Sequence, residues 1–317
     1  MYSQPTIKHN PNFNAGHSAE MVHNAMKGLG CDKHKVMLAL TTCSNPQRQE
    51  VAKVYKTQYG SDLVHDLKKE LSGDFENLIV ALMTPAVQYD AQQLNKAVSG
   101  IGTKENILIE ILTTRNNAQI QELKHTYKQM FGKELEHDLI GDTSGPFQKL
   151  LVSLCTGARD ESGRVDALKA NQDARTLYRA GERKLGTDES TFNSILATQN
   201  FNQLRSVFDE YEKASGHSIE TAIQAEFSGD IKDGFLAIIK SIRSRPAFFA
   251  ELIHNSMKGL GTRDNDLIRL IVTRSEIDLA DIRTHFELLF KTPLDKAIAS
   301  ECSGAYKDGL IQVVKGN

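Results

Sequence analysis

The chain has 317 residues, with 38 Lys+Arg against 40 Asp+Glu for a formal net charge of −2. That balance excludes attachment to nucleic acid or to an anionic bilayer by bulk positive charge. With 40% apolar and 25% charged residues the chain can fold, and its length calls for one large domain or several repeated units.

No apolar stretch approaches the roughly 18 residues of a spanning helix, and Met1–Gly16 lacks the apolar core of a signal peptide. Cys31, Cys43, Cys155 and Cys302 form no CxxC pair, so a reduced, cytoplasmic protein is expected.

In chain order, the first distinctive element is Met26-Lys27-Gly28-Leu29-Gly30, and it returns three times. The later copies are Val98–Gly102, Glu182–Gly186 and Met257–Gly261. Fourteen residues past Gly28, and past its counterparts Gly100, Lys184 and Gly259, stand Thr42, Thr114, Thr198 and Thr273. Twenty-seven past stand Tyr55, Tyr127, Tyr211 and Phe286. Forty-two past stand the acids Glu70, Asp142, Glu226 and Glu301, each followed two residues on by Ser-Gly. A register kept without insertion in every copy defines a repeat.

The expected organisation is a tail at 1–12, repeats at 13–84 and 85–156, a linker at 157–167, and repeats at 168–240 and 244–315. The acids precede the next loop by 30, 42 and 33 residues. The long, charged middle connector, Ala158–Asp166, reads as a solvated hinge dividing the repeats two and two. Within repeats the apolar period is helical: Ile120, Leu123 and Tyr127, or Leu279, Ile282, Phe286 and Leu289, fall on one face. Ser44-Asn45-Pro46 and the threonines Thr103, Thr187 and Thr262 mark helix starts. The reading is all-α, about five helices per repeat, with the glycine loop joining the first two and the acid ending the fourth.

A Gly-x-Gly loop can be a simple helix C-cap. It can also leave main-chain carbonyls free to converge on a hard cation, which takes 6–8 oxygen ligands. An acid at a helix C-terminus is electrostatically unfavourable, so its fourfold recurrence at one distance from the loop favours the cation.

Gly-Leu-Gly-Thr-Arg-Asp (Gly259–Asp264), the remote acid with x-Ser-Gly, and four copies of about 70 residues together resemble the annexin family. The resemblance covers residues 13 to 315. It implies five-helix, right-handed superhelical repeats in a curved disc, with Ca²⁺ loops on the convex face that dock onto acidic, phosphatidylserine-type phospholipid. Carried onto this chain, the sites would use Met26, Gly28, Gly30 and Glu70; Val98, Gly100, Gly102 and Asp142; and Met257, Gly259, Gly261 and Glu301. The third departs from the pattern: Lys184 replaces the first glycine, Gly181 replaces Glu182 upstream, and Gly186 and Glu226 complete the set. Accessory sites would use Glu105, Glu189 and Asp264; Lys33 fills that position in the first copy. Helix-start stabilisation is the competing reading of these acids.

One carboxylate per site implies weak affinity in solution, about 10⁻⁴ M or weaker. A lipid phosphate would then supply the missing oxygens. Leu29, Ile101, Leu185 and Leu260 at the loop tips, with Lys27, Arg183 and Lys258 beside them, are expected to touch the membrane; packing beneath their own loops is the alternative for the leucines. Asp90, Glu110, Arg115, Arg269 and Arg274 lie on helical faces. Family resemblance places them along a central hydrated passage, against which inter-repeat salt bridges are the competing reading.

Nucleotide, zinc-protease, nucleophile-elbow and EF-hand motifs are absent, so no enzyme is expected. The rival readings are a helical protein-binding scaffold and a membrane-associated ion pore. Self-association on membranes is a further implication of the resemblance.

Overall fold

The computed structural model describes residues 3–28, 30–100, 102–182, 186–259 and 261–317. Among these residues there are twenty α-helices and no strand, in four sets of five. The first repeat holds α1 (Ala15–Ala25), α2 (Lys33–Thr41), α3 (Asn45–Tyr59), α4 (Leu63–Glu70) and α5 (Gly73–Met83). The second holds α6 (Ala86–Val98), α7 (Glu105–Thr114), α8 (Asn117–Phe131), α9 (Leu135–Asp142) and α10 (Gly145–Cys155). The third holds α11 (Ala167–Ala180), α12 (Glu189–Thr198), α13 (Phe201–Ser215), α14 (Ile219–Glu226) and α15 (Gly229–Arg243). The fourth holds α16 (Arg245–Met257), α17 (Asp264–Ser275), α18 (Leu279–Phe290), α19 (Leu294–Glu301) and α20 (Gly304–Lys315).

Local sequence sets these boundaries. Gln47 Oε1 accepts from the Ser44 N–H at 3.1 Å, and Pro46 occupies the first turn of α3, where its missing donor has no intrahelical partner to lose. The third helix of each repeat ends on a left-handed residue: Gly60, Gly132 and Gly216, then Lys291 with φ 58°. Only the fourth repeat places a side chain in that costly conformation. The repeated aromatic is buried in every copy, Tyr55, Tyr127, Tyr211 and Phe286 being 0–2% exposed. The stripe on α18 is shorter than expected. Leu279, Ile282 and Phe286 are buried, but Leu289 is 46% exposed; the helix ends a residue later, and Phe290 stacks on His254 at 3.8 Å instead.

The hinge expectation is overturned. The chain divides into one compact unit of Met1–Tyr89 with Pro246–Asn317, and another of Asp90–Arg245. The first and fourth repeats thus form one body, and the second and third the other. In the first unit α5 packs on α17 and α20, and α2 on α20. In the second α15 packs on α7 and α10, and α12 on α10. The long connector belongs to the second unit: it is solvent-exposed, as its charge suggests, but it is tied down and does not divide the repeats two and two. Arg159 Nη1 donates to Leu196 O and Gln199 O at 2.8 and 2.7 Å, and the Asp160 N–H to Thr198 O at 2.8 Å.

The amino-terminal segment is likewise tied down, within the first unit. The N–H groups of Thr6 and Ile7 both donate to Ser275 O at 2.9 Å, and Thr6 Oγ1 donates to Val313 O at 2.7 Å. Gly316, at φ 82°, passes so close that a Cβ there would lie 1.9 Å from Thr6 O.

One register position explains which repeats pair. Eight residues past the acid stand Leu78, Leu150, Gly234 and Gly309. A Cβ on Gly309 would meet Leu78 Cδ2 at 2.7 Å, and one on Gly234 would meet Leu150 Cδ2 at 2.6 Å. Leucine knobs on α5 and α10 therefore seat against bare backbone on α20 and α15. Overpacking a core costs about 1–3 kcal/mol. Gly309→Leu is expected to lower unfolding free energy by at least that amount in urea titrations, and adding Leu78→Gly should restore part of it. Additive losses in the double variant would contradict the knob-and-notch pairing.

Candidate functional site

Each first helix runs into its glycine loop and each second helix leaves it, and one hydrogen bond closes the bend. The N–H of Asp32 donates to Ala25 O at 2.8 Å, and that of Lys104 to Ala97 O at 3.0 Å. The Asp188 N–H donates to Ala180 O at 2.9 Å and the Arg263 N–H to Ser256 O at 2.8 Å. These donors lead the second helices as Asp32, Lys104, Asp188 and Arg263, one residue beyond the threonines expected to begin them.

The residue after each closing carbonyl is Met26, Val98, Gly181 and Met257. In the third copy the closing carbonyl lies one residue farther back, so Gly181 falls where Met26, Val98 and Met257 fall. Glu182, freed from that place, accepts from Tyr211 Oη at 2.5 Å and lies 2.8 Å from His217 Nε2. It replaces Asp66 and Asp138, which bond Tyr55 and Tyr127 at 3.0 and 2.8 Å in the first two copies.

Left-handed backbone recurs through the bends: Gly28, Gly30, Gly102, Gly186, Gly259 and Gly261 have φ between 81° and 114°. No atom lies within 4 Å of a Cβ placed on any of the six, so conformation rather than crowding selects glycine. Gly100 is exposed as well, while Met26 and Val98 are half-buried and Gly181 and Met257 buried. Lys27 and Lys258 are exposed. Leu29, Ile101, Arg183, Lys184, Leu185 and Leu260 lie outside the described residues.

The four acids are the last residues of α4, α9, α14 and α19. Thr103 Oγ1 donates to Asp142 Oδ2 at 2.7 Å and to Asp142 O at 3.0 Å, so it joins the second loop to its acid instead of capping α7. Thr187 Oγ1 reaches Glu226 O at 3.3 Å in the same way, whereas Thr262 Oγ1 donates to Asp264 Oδ1 at 2.6 Å. In the first copy Cys31 takes the threonine's place; burial, then the nearby Glu70 charge, raises its thiol pKa. In the fourth, burial followed by Asp264 and Glu301 pushes the Cys302 thiol up to about 11. The segment that follows each loop is thereby brought to the end of the fourth helix in each copy.

Glu105, Glu189 and Asp264 open α7, α12 and α17, where a helix dipole favours acids; Lys33 opens α2. Among the described residues no group of three or more His, Cys, Asp or Glu could hold a metal ion. A metal at these loops would have to draw most donors from main-chain carbonyls, and the exposed glycine carbonyl positions fit that demand for a hard, oxygen-seeking ion.

Several of the charges on helical faces form ion pairs within their own repeats. Arg115 grips Asp90 through Nε and Nη2, both at 2.7 Å. Arg274 grips Asp278 at 2.8 and 2.7 Å, and Arg269 Nη1 donates to Asp266 Oδ1 at 2.8 Å. Glu110 is 1% exposed. An inter-repeat bridge within the first unit joins Arg48 Nη2 to Glu276 Oε1 at 2.8 Å. Its signal was in the sequence: Arg48 shares the spacing of the buried Val51 and Tyr55. Arg274→Gln would leave the buried Asp278 without its cation and should cost about 3–5 kcal/mol in chemical unfolding; a loss below 1 kcal/mol would show that the pair is solvated.

The sequence profile of the family described as Annexin matches residues 17–82, 89–154, 172–238 and 248–313. Annexin A5 of Cynops pyrrhogaster is 49% identical over 306 residues, covering 96% of this chain and 95% of its own. The structure of annexin III superposes with a TM-score of 0.96 at 44% identity, covering 100% of this chain and 98% of that one. A calcium-bound structure of annexin (Sm)1 gives 0.87 at 32% identity, covering 99% and 93%. Four matched segments, each lying on one five-helix set, show that this chain belongs to the annexin family.

Proposed function

We propose that the protein binds acidic phospholipid membranes reversibly through Ca²⁺ held between each glycine loop and the acid that ends the fourth helix. The observation that carries this reading is the placement of that acid. Glu70, Asp142, Glu226 and Glu301 each occupy a helix C-terminus, where a negative charge is disfavoured unless a cation offsets it. α9, α14 and α19 carry no basic residue in their last turn. The calcium-bound state of annexin (Sm)1 supports a hard cation as the missing partner.

The residues that would hold the ion are Met26, Gly28, Gly30 and Glu70; Val98, Gly100, Gly102 and Asp142; Gly181, Lys184, Gly186 and Glu226; and Met257, Gly259, Gly261 and Glu301. The displaced loop closure in the third copy supports Gly181, not Glu182, as its first carbonyl. When bound, Ca²⁺ supplies vacant coordination positions that phosphate oxygens of a lipid can fill. The chain's own part is to keep carbonyls at the surface, to hold the second acid through Thr103, and to present several sites at once. Linked sites gain from effective concentration after the first has docked. Leu29, Ile101, Leu185 and Leu260 would enter the lipid interface, with Lys27, Arg183 and Lys258 near headgroup phosphates. Glu105, Glu189 and Asp264 would serve accessory ions. No helix among the described residues is long and apolar enough to cross a membrane, and the proposed action is peripheral, at the cytoplasmic face.

Co-sedimentation with phosphatidylserine vesicles tests this directly. Protein should pellet with calcium and return to the supernatant on chelation. Glu301→Gln should shift the calcium midpoint upward several-fold while slightly raising stability in calcium-free buffer, because it removes a charge disfavoured at a helix end. Pelleting that survives chelation, or an unchanged midpoint in Glu70→Gln, Asp142→Asn, Glu226→Gln and Glu301→Gln together, would overturn the reading.

A further inference from the structure

Within the second unit, the connector between the second and third repeats roofs a cavity of about 230 Å³. Its apolar lining includes Leu112, Ile120, Leu154 and Ala197. Its charged lining comprises Arg115, Arg159, Arg245, Asp160 and Glu161, and the guanidinium carbons of Arg159 and Arg245 lie 5.2 and 5.7 Å from the centre of the Phe201 ring. The cavity lies on helices and a connector that take no part in the glycine loops.

Arg159 is held in place by its main chain as well as its side chain. Asn117 Nδ2 donates to Arg159 O at 2.7 Å, and the Arg159 N–H donates to Asn117 Oδ1 at 3.1 Å. Nη1 is committed to the two carbonyls at the end of α12, while Nε and Nη2 carry no hydrogen bond to a described residue. Both acids next to it in sequence are turned to neutral donors. Glu161 Oε1 accepts from the Asn117 N–H at 2.8 Å, and Asp160 Oδ2 accepts from Asn200 Nδ2 at 2.7 Å. No described carboxylate lies within ion-pair distance of Arg159. Burial accordingly lowers its pKa to about 10, with Glu161 opposing only weakly. A fixed guanidinium without an ion-pair partner, at the wall of a cavity that combines an apolar floor with polar side chains, is what recognition of an anion requires.

We propose that this cavity is a binding site for a small amphipathic anion, a phosphate or carboxylate on a compact apolar body, with Arg159 as its charge anchor. The anion would take Nε and Nη2, and the apolar body would cover Leu112, Ile120 and Leu154. Part of the Arg159 charge is offset by the C-terminal dipole of α12, and a purely structural clip would end there. The two roles separate at Ala158, which is exposed, lines the same cavity and anchors nothing by its side chain.

The test uses the full chain in metal-free, phosphate-free buffer, with phenyl phosphate and benzoate as probes and phenol as the uncharged control, followed by amide NMR and thermal shift. Both anions should give saturable shifts confined to the neighbourhood of Arg159, Phe201 and Asn202, and phenol none. Arg159→Gln should weaken binding about tenfold. Because that variant also loses the α12 clip, Ala158→Asp and Ala158→Lys provide the folding-neutral pair. The first should weaken phenyl phosphate several-fold, and the second should tighten it. Absence of saturation with either anion, phenol binding as well as benzoate, or equal affinity in the two Ala158 variants would overturn the proposal. Calcium-dependent vesicle binding in the Ala158 variants should match the unmodified chain, so this result and the membrane reading fail separately.

Discussion

A carboxylate at the wrong end of a helix is the constraint on which the rest depends. An acid in the last turn opposes the helix dipole by a few tenths of a kcal/mol to about 1 kcal/mol, and this chain accepts that cost in all four repeats. The surrounding structure makes sense as the means of keeping that charge beside a carbonyl-rich bend. The fourth helix is short and ends on the acid, the following Ser-Gly step restarts the chain as the fifth helix, and Gly73, Gly145, Gly229 and Gly304 take φ of 60–63° to do so. Thr103 and Thr187 reach across from the glycine loop to the same helix end. The fold is held by its core, and three of the four acids, Asp142, Glu226 and Glu301, end helices with no basic residue in the last turn.

Two layers of this molecule were readable before any coordinates. The repeat register is written in residue types that have few substitutes: glycine where φ is positive, an aromatic where the core needs volume, an acid at a fixed distance. The all-α class and the five-helix count followed from apolar spacing. The third loop shows the limit of such reading, because Lys184 and Glu182 break the pattern while the fold keeps it by moving the closing hydrogen bond back to Ala180. Gly181 as the upstream partner was inferred from residue type, and the loop geometry gives that inference its reason.

What sequence reasoning got wrong was long-range. The charged connector suggested a hinge, but repeats pair by surface shape, and Leu78 against Gly309 and Leu150 against Gly234 place the first repeat with the fourth and the second with the third. The succession of two leucines and two glycines at one register position was visible, but it does not say which leucine meets which glycine. The threonines after the loops looked like helix caps because threonine commonly is one; Thr103 instead donates to the Asp142 carboxylate, and Thr187 to the main-chain carbonyl of Glu226. Among the helical-face charges, Arg115 with Asp90 and Arg274 with Asp278 form pairs within single repeats, contacts that residue spacing alone did not single out. Such choices among partners depend on distances that spacing along the chain does not encode.

The central claim is that one cation joins loop carbonyls to a helix-ending carboxylate. Crystals grown with Ca²⁺ and measured for its anomalous signal test this most directly. The account predicts density at the glycine loops, with oxygen ligands at about 2.3–2.6 Å, one of them from Glu70, Asp142, Glu226 or Glu301. Ions bound elsewhere on the protein, with the loops empty and these acids turned to solvent, would contradict it.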